Sequence, residues 1–267
     1  MVQKPKIGLV QFDVKLGNPR ANIDHVRRAI QDLADQGVNL AVLPEMWSCG
    51  FDYSALKDHA AQTPAVLDEL CSLAENLNLA VSGTMPELTP DGVYNTHYYI
   101  NEKGSVQAEY RKVHRFTPAG EGEFEPGARS VLAAAPWGKT GLLTCYDLRF
   151  PEQSRALVLA GAIVLIVSAQ WPAVRIRHWD VLLQARAVEN QAFVIACNRC
   201  GKDPELVYGG RSAVISPWGE VIAGAGGGET LLTAALNLYE VKDFRTRIPC
   251  LEHRIPEAYD LENIVEK

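Results

Sequence analysis

The chain has 267 residues, a hydrophobic fraction of 47%, a charged fraction of 22% and a formal net charge of -6. This balance of apolar and charged residues is typical of a folded globular protein and excludes an intrinsically disordered chain. The acidic balance offers no general attraction for phosphate backbones, so nucleic acid is a poor candidate partner.

The first half of the chain alternates strand and helix patterns. Asn18 followed by Pro19 predicts the start of a helix that ends at Gly37, and Thr63 followed by Pro64 predicts the start of a second helix. The predicted strands of this half cover residues 7–12, 40–44, 79–83, 94–101 and 106–112. The last two of these strands form a predicted hairpin. The following segment, 116–127, is rich in Gly, Pro and Glu and is predicted to be a surface loop.

The second half of the chain is richer in strands. Its predicted strands cover residues 140–145, 162–168, 193–198, 211–216, 221–225 and 230–236. Helices are predicted from Pro151 to near Gly161 and over residues 175–191. Because no linker, low-complexity segment or fixed-period repeat interrupts these elements, we expect one α/β domain over residues 1–267. The strand-rich second half suggests two packed sheets with helices outside.

Membrane and secretion signals are not predicted. No apolar stretch approaches the roughly 20 residues needed to span a bilayer. The polar segment 1–6 lacks the apolar core of a secretory signal. We therefore expect a soluble cytoplasmic protein whose six cysteines are reduced.

Cys145 is the cysteine with the most suggestive position. It ends the predicted strand 140–145, and Pro151 begins a helix six residues later. A nucleophile at such a turn is lifted above the sheet, with backbone N–H groups near a developing oxyanion. A thiol with a pKa of about 8.5 needs a base to become a useful nucleophile. The alternative is a buried, inert cysteine at a strand end.

Glu45 is a better candidate base than any histidine. No sequence signature links one of the six histidines to Cys145, whereas Glu45 follows an apolar strand just as Cys145 does. Functional groups in α/β folds gather at that rim of a sheet. Lys112 is a third candidate. Because neighbouring side chains of a strand face opposite ways, Arg111 and Lys112 cannot both point into one pocket. A solvated carboxylate and a solvated lysine are the alternatives.

Together these candidates carry a resemblance to a known family. The segments concerned are 43–45 (LPE), 110–114 (YRKVH), 144–152 (TCYDLRFPE), 188–191 (VENQ) and 216–220 (SPWGE). They resemble recurring segments of the nitrilase (carbon–nitrogen hydrolase) superfamily, in the same order along nearly the whole chain. Segments 145–151 and 170–172 are most similar to the bacterial ω-amidase-like branch.

The resemblance implies a four-layer αββα sandwich of two mixed sheets with flanking helices, and a homodimer. It also implies that Cys145 is the nucleophile and Glu45 the general base. Lys112 then stabilises the tetrahedral intermediate, aided by the backbone N–H of Tyr146. A second glutamate of the family lies in the loop that follows. Glu121 fits this position best, and Glu123 and Glu125 remain alternatives.

The implied activity is hydrolysis of the terminal amide of a short ω-amido α-keto acid through a cysteine thioester, without a cofactor. Arg175 is the candidate for holding the substrate carboxylate, with Arg177 and Arg199 as alternatives, and Tyr146 and Trp171 are candidate pocket walls. The alternatives to this activity are an N-carbamoyl amino acid amidohydrolase or a nitrilase that uses the same three residues. A protein of a different class, a catalytically idle binding partner, is a further alternative.

Cys197 and Cys200 form the C-x-x-C pair of the chain. A structural zinc site needs four ligands, normally from a second such pair, and the sequence has none. We therefore expect no metal, and we interpret both cysteines as structural.

Overall fold

Two six-stranded sheets form the centre of the protein. The computed structural model describes residues 4–263. The strands are β1 (Lys6–Gln11), β2 (Leu40–Val42), β3 (Ala80–Thr89), β4 (Gly92–Ile100), β5 (Val106–Arg111), β6 (Leu132–Ala135), β7 (Gly138–Thr144), β8 (Val164–Ala169), β9 (Phe193–Asn198), β10 (Ala213–Ile215), β11 (Val221–Gly224) and β12 (Thr230–Ala235). The helices are α1 (Pro19–Asp35), α2 (Leu56–Leu77), α3 (Pro151–Leu159), α4 (Ile176–Asn190) and α5 (Tyr239–Arg247).

Both sheets are mixed. The first has the strand order β12-β1-β2-β3-β4-β5, and the second has the order β11-β10-β9-β8-β7-β6. Strands β1, β2 and β3 are parallel to one another, as are β7, β8 and β9, and the remaining pairings are antiparallel. The parallel centres explain the continuous apolar runs in these strands, because both faces of each strand are covered.

The core lies in three layers of apolar contacts. Between the sheets, residues such as Leu9 and Ile166 belong to one buried cluster. Helices α1 and α2 cover the outer face of the first sheet, and α3 and α4 cover that of the second. The order of layers is therefore helix, sheet, sheet, helix, and the predicted αββα sandwich is confirmed.

Helix α1 follows its sequence signals and helix α2 does not. The side chain of Asn18 accepts a hydrogen bond from the backbone N–H of Ala21 at 3.1 Å, as a helix N-cap does. Helix α2 begins at Leu56, so the predicted start at Thr63 is wrong. The Thr63 hydroxyl instead donates to the carbonyl of Pro86 at 2.6 Å. Pro64 removes one backbone donor inside the helix, and the packing of α2 on the sheet outweighs that cost.

Segment 116–127 is only in part the surface loop that its composition predicts. It contains two short 3-10 helices, Thr117–Ala119 and Glu121–Glu123, and the side chains of Glu121 and Phe124 are buried. Two elements were also missed, the four-residue edge strand β6 and helix α5. Short edge elements are held by pairing and packing partners from elsewhere in the chain, so local pattern indicates them poorly. Among the described residues, no helix is both long enough and apolar enough to cross a membrane.

Candidate active site

The three predicted reactive residues follow three different strands and meet at one rim of the sandwich. Glu45 follows β2, Lys112 follows β5 at the end of the same sheet, and Cys145 follows β7 of the other sheet. The two sheets are tied together at this rim, since the Ser168 hydroxyl donates to the carbonyl of Leu43 at 2.8 Å. The site is therefore assembled only when both sheets pack.

Glu45 is fully buried, and both of its carboxylate oxygens have partners. Oε1 accepts hydrogen bonds from Lys112 Nζ at 2.8 Å and from Asn95 Nδ2 at 2.9 Å, and Oε2 accepts one from the backbone N–H of Gln170 at 3.0 Å. Burial raises the pKa of Glu45, and the positive charge of Lys112 opposes that rise. A carboxylate with a raised pKa and a fixed orientation is suited to accept and return a proton.

Lys112 lies between two carboxylates. Its Nζ donates to Glu121 Oε1 at 2.8 Å and Oε2 at 2.7 Å, in addition to the bond to Glu45. Burial by itself would lower the pKa of Lys112, but the charges of Glu121 and Glu45 raise it well above its ordinary value, so the lysine stays cationic. Arg111 faces the other way and pairs with Glu87 at 2.6 Å, as the alternation of a strand predicts.

The structure brings Glu121, of the three candidate loop glutamates, to the lysine. Glu121 is 4% exposed, and its Oε2 also accepts a hydrogen bond from the backbone N–H of Phe116 at 2.9 Å. Glu123 and Glu125 are exposed. The 3-10 turn that begins at Glu121 therefore directs one carboxylate inward and leaves the others in solvent.

Cys145 opens the 3-10 helix Cys145–Arg149 directly after β7. Its φ of 44° lies in the left-handed region that non-glycine residues rarely adopt, and such strain often marks a functional turn. Burial and the nearby charge of Glu45 raise the pKa of the thiol well above its ordinary value, although Lys112 acts in the opposite direction. At neutral pH the resting sulfur is therefore protonated, and it needs a base before it can attack.

Asp147 holds the turn that carries Cys145, and sequence analysis missed it. This fully buried carboxylate accepts hydrogen bonds from the backbone N–H of Thr144 at 2.9 Å, the Tyr110 hydroxyl at 2.7 Å and the backbone N–H of His114 at 3.1 Å. Tyr110 and His114 flank Lys112 in the chain, so Asp147 joins the turn that carries Cys145 to the segment that carries Lys112. The signal available in the sequence was an acidic residue two positions after the cysteine.

A cavity of about 220 Å³ opens onto these groups. Glu45, Glu121 and Cys145 form part of its wall. The other lining residues are Leu16, Phe51, Tyr53, Phe116, Ala119, Tyr146, Arg149, Gln170, Trp171, Pro172, Arg175, Asp203, Pro204, Glu205, Leu206 and Tyr208. The predicted walls Tyr146 and Trp171 thus line the cavity. A mostly apolar wall with few charged groups fits a small organic substrate better than a polymer.

Two arginines line the cavity, and only one of them was predicted. The guanidinium of Arg175 lies 5.3 Å from the ring centre of Phe116, and that of Arg149 lies 4.6 Å from the ring centre of Trp171. The alternatives considered from sequence do not line the cavity, since Arg177 is exposed and Arg199 is fully buried behind Gln170. The aromatic faces hold both cavity arginines by cation–π contact, which presets their position.

Comparison with known families agrees with this geometry. A model of the family described as carbon-nitrogen hydrolase matches residues 6–246. This chain belongs to the carbon–nitrogen hydrolase family. Its expected membership and its enzyme class, a hydrolase acting on amides, are therefore confirmed. The 2-oxoglutaramate amidase of Bacillus subtilis (strain 168) is 35% identical over 256 residues, which cover 95% of this chain and 98% of that protein.

Two solved structures of carbon–nitrogen hydrolases are also similar over nearly the whole chain. Nit3 from Saccharomyces cerevisiae, a member of branch 10 of the nitrilase superfamily, has a TM-score of 0.85 and 30% identity, covering 92% of this chain and 95% of that chain. An amidase variant from Nesterenkonia sp. AN1 has a TM-score of 0.86 and 27% identity, covering 96% of this chain and 95% of that one. That amidase carries the acetamide moiety of fluoroacetamide, covalently added at its active-site cysteine.

The remaining cysteines lie away from this cavity. All six cysteines are free thiols, and Cys49, Cys197 and Cys200 are buried. Cys197 belongs to the buried cluster between the sheets, and burial raises the pKa of its thiol. Burial also raises the pKa of Cys200, to about 11. The C-x-x-C pair is thus packed against the core, and within residues 4–263 no group of three or more His, Cys, Asp and Glu side chains is arranged to hold a metal ion.

Proposed function

We propose that this carbon–nitrogen hydrolase cleaves the terminal amide of a short ω-amido α-keto acid of the 2-oxoglutaramate or 2-oxosuccinamate type, releasing ammonia. The observation that carries the proposal is the buried Glu45–Lys112–Glu121 cluster beside Cys145, in a small cavity that also presents two arginines. The similarity to the amidase of Bacillus subtilis supports the choice of substrate.

Acylation begins when Glu45 accepts the proton of the Cys145 thiol and the sulfur attacks the amide carbon. The carbonyl oxygen becomes anionic, and Lys112 together with the backbone N–H of Tyr146 stabilises it. When the tetrahedral intermediate collapses, the C–N bond breaks and Glu45 returns the proton to the leaving nitrogen, so that ammonia departs. A thioester between the acyl group and Cys145 remains.

Deacylation uses the same groups in reverse. Glu45 accepts a proton from a water molecule, and the water oxygen attacks the thioester carbon. Collapse of the second tetrahedral intermediate breaks the C–S bond. The carboxylic acid product leaves, and the proton held by Glu45 returns to Cys145.

The arrangement of Lys112 favours the transition state over the resting state. At rest, two carboxylates compensate the lysine, Glu45 at 2.8 Å and Glu121 at 2.7 Å. Proton transfer to Glu45 removes one of these negative charges at the moment when the oxyanion forms. The lysine is then free to stabilise the oxyanion, while Glu121 keeps it in place. An interaction that strengthens only in the transition state raises kcat rather than ground-state binding.

The far end of the substrate is held by Arg149 and Arg175. Both line the cavity beside aromatic side chains, and a guanidinium binds a carboxylate through paired N–H donors. We expect Arg175→Lys and Arg149→Lys each to raise KM for a 2-oxo acid amide by roughly tenfold, the loss of about 1.4 kcal/mol of binding. An uncharged amide of similar length should be unaffected.

Ammonia release over a panel of small substrates tests the proposal. The panel holds 2-oxoglutaramate, an N-carbamoyl amino acid, a nitrile and propanamide, with Cys145→Ala as the control protein. The expected kcat/KM is at least tenfold higher for the keto-amide than for the other three substrates. Cys145→Ala should release no ammonia from any of them. Preference for the carbamoyl compound or the nitrile would assign the same site to those substrates. Turnover by Cys145→Ala at the wild-type rate would contradict the mechanism.

We further propose that the protein is a homodimer that pairs through the outer face of the second sheet's helices. Val174, Val181 and Val188 are 84%, 65% and 43% exposed, and their spacing of seven residues places them in one stripe along α4 and the turn before it. Sedimentation velocity at micromolar concentration should give a dimer for the wild type and a monomer for Val181→Asp. If Val181→Asp is a dimer like the wild type, the interface does not lie on this face of α4.

A further inference from the structure

Arg199 is a fully buried cation close to the candidate active site that the proposed mechanism does not use. It follows strand β9, and its guanidinium has three polar partners and one aromatic partner. Nη1 donates to Gln170 Oε1 at 2.8 Å and to Asp203 at 3.3 Å, and Nη2 lies 3.5 Å from Asp13. The guanidinium also lies 4.0 Å from the ring centre of Tyr208.

On its inner side, Arg199 reaches Glu45 through one intermediate residue. Gln170 accepts from Arg199 with its side-chain oxygen, and its side-chain nitrogen donates to the carbonyl of Glu45 at 2.7 Å. The backbone N–H of the same glutamine donates to Glu45 Oε2 at 3.0 Å. Gln170 thus fixes Glu45 at both its backbone and its carboxylate, and Arg199 fixes the orientation of the glutamine amide.

On its outer side, Arg199 holds the segment 203–208, which we call the rim loop. Asp203 accepts from Arg199 and from the Tyr208 hydroxyl at 2.7 Å, and its other oxygen accepts from the backbone N–H groups of Glu205 and Leu206 at 3.1 and 2.9 Å. All residues of the rim loop except Val207 line the cavity. The rim loop is therefore attached to the same guanidinium that orients Gln170.

We propose that Arg199 is a positioning residue that couples the rim loop to the orientation of Glu45. A substrate whose far end packs against the rim loop then favours the productive position of Glu45. The length of the substrate therefore affects kcat as well as KM. The proposal rests on the proposed function, because it takes Glu45 as the base and adds that the far end held by Arg149 and Arg175 also packs against the rim loop, which lines the same cavity.

The packing around Arg199 favours this role over simple stabilisation. Its Nε is buried and lacks a hydrogen-bond partner among the described residues, so the guanidinium is not fully satisfied where it lies. A buried cation with an unpaired donor contributes little net stability compared with an apolar side chain of the same size. The contacts it does make are those that join the rim loop to Gln170.

Two variants separate the inner and outer contacts. Arg199→Lys keeps the charge but cannot reach both Gln170 and Asp203, so Gln170 loses its fixed orientation. Asp203→Asn keeps the oxygen that accepts from the loop backbone and removes the charge that faces Arg199. Arg247→Lys is the matched control, since Arg247 pairs with Asp243 at 3.0 Å on the exposed side of α5.

The pH profile of kcat/KM tests the contact that runs from Arg199 through Gln170 to Glu45. The groups that face Glu45 are Lys112, Glu121 and Cys145, and those that face Arg199 are Asp13, Asp203 and Tyr208. Arg199→Lys leaves those facing Glu45 in place. Because the N–H of Gln170 favours the ionised form of Glu45, loosening it moves the acid limb of kcat/KM to higher pH. A merely structural loss lowers activity and leaves that limb in place.

The expected result has two parts, both measured by ammonia release. Arg199→Lys lowers kcat for 2-oxoglutaramate at least tenfold and shifts the acid limb upward. Asp203→Asn lowers kcat for 2-oxoglutaramate by a several-fold larger factor than kcat for propanamide, which lacks the carboxylate-bearing far end. Arg247→Lys changes neither quantity. Circular dichroism of each variant checks folding, and if Arg199→Lys does not fold, the comparison of substrates in Asp203→Asn decides the matter.

An unmoved acid limb in folded Arg199→Lys, or an equal loss with both substrates in Asp203→Asn, would overturn the proposal. These outcomes are distinct from failure of the proposed function. If the proposed function is wrong, Glu45→Gln turns over substrate at the wild-type rate. If only the coupling is wrong, Glu45→Gln is inactive, but Arg199→Lys leaves the acid limb unmoved or Asp203→Asn loses activity equally with both substrates.

Discussion

Replacement of Lys112 by methionine tests the electrostatic design of the site most directly. Methionine keeps an unbranched side chain of similar length and removes the charge. Lys112 makes three hydrogen bonds of 2.7–2.8 Å to Glu45 and Glu121, which are 0% and 4% exposed. Removing one partner of a buried ion pair leaves uncompensated buried charge and costs about 3–5 kcal/mol. For a domain of this size, we expect Tm to fall by roughly 6–20 °C at pH 7.5.

The loss of stability should depend on pH in a defined direction. Burial already raises the pKa of Glu45, and loss of the lysine charge raises it further. A carboxyl group whose folded pKa lies above its unfolded value contributes stability below the unfolded value, and this contribution is lost as pH rises through the folded pKa. The deficit of Lys112→Met relative to the wild type should therefore be smallest near pH 4.5 and grow toward pH 7.5. Each proton involved contributes up to about 1.4 kcal/mol per pH unit.

Urea unfolding at several pH values between 4.5 and 7.5 measures the free energy of unfolding, and ammonia release measures kcat. The double variant Lys112→Met/Glu121→Gln is the control, and it should recover part of the stability because one unpaired carboxylate is removed. Its kcat should stay at least about 100-fold below the wild type, since the cation that stabilises the oxyanion is still absent. A deficit below about 1 kcal/mol at pH 7.5, or one independent of pH, would refute the reasoning.

Three further variants test other parts of the structure. In Gly127→Ala, the added Cβ would lie 1.9 Å from the carbonyl oxygen of Arg111, so we expect a loss of at least about 1–3 kcal/mol in urea unfolding; wild-type stability would contradict this clash. His97 is fully buried and burial lowers its pKa to about 4, so the wild type should lose up to about 3 kcal/mol as pH falls from 6.5 to 4, a slope that His97→Gln should lack. Asp147→Asn should lower kcat by about tenfold or more and slow alkylation of Cys145 by iodoacetamide, because the nucleophile turn loses its charged acceptor; unchanged rates would exclude that role.

Local signals predicted the elements that local chemistry controls. Asn18 caps α1 because its side chain satisfies a backbone donor three residues away, and Cys145 follows a buried strand because an apolar run ends there. Thr63 and Pro64 carried a similar signal and misled, because Thr63 bonds to Pro86, which is distant in sequence, and packing on the sheet keeps the helix continuous through the proline. A capping signal is decisive only where no tertiary partner competes for the same group.

Some residues of the candidate site were indicated by the sequence, and others were identified only by the fold. The resemblance of the ordered segments around Glu45, Lys112 and Cys145 to the carbon–nitrogen hydrolase family nominated these residues together, and their chemistry fits, since a thiol needs a base and an oxyanion needs a cation. The sequence left three loop glutamates open, and the fold brings Glu121 to the lysine because a 3-10 turn buries that side chain alone. Arg149 gave no usable signal, since a cavity wall is defined by segments that meet only in the folded chain.

The sequence by itself determined the layered α/β class and the order of most strands and helices, because hydrophobic periodicity is a local property of the chain. Its ordered segments also nominated Glu45, Lys112 and Cys145 through their resemblance to the carbon–nitrogen hydrolase family. The tertiary structure decided which charges meet. The raised pKa of Glu45, the hold of Asp147 on the nucleophile turn and the contacts of Arg199 all depend on burial and on partners from distant segments. Coulomb and hydrogen-bond energies depend on distance and solvent exposure, and only the packed sheets set those quantities.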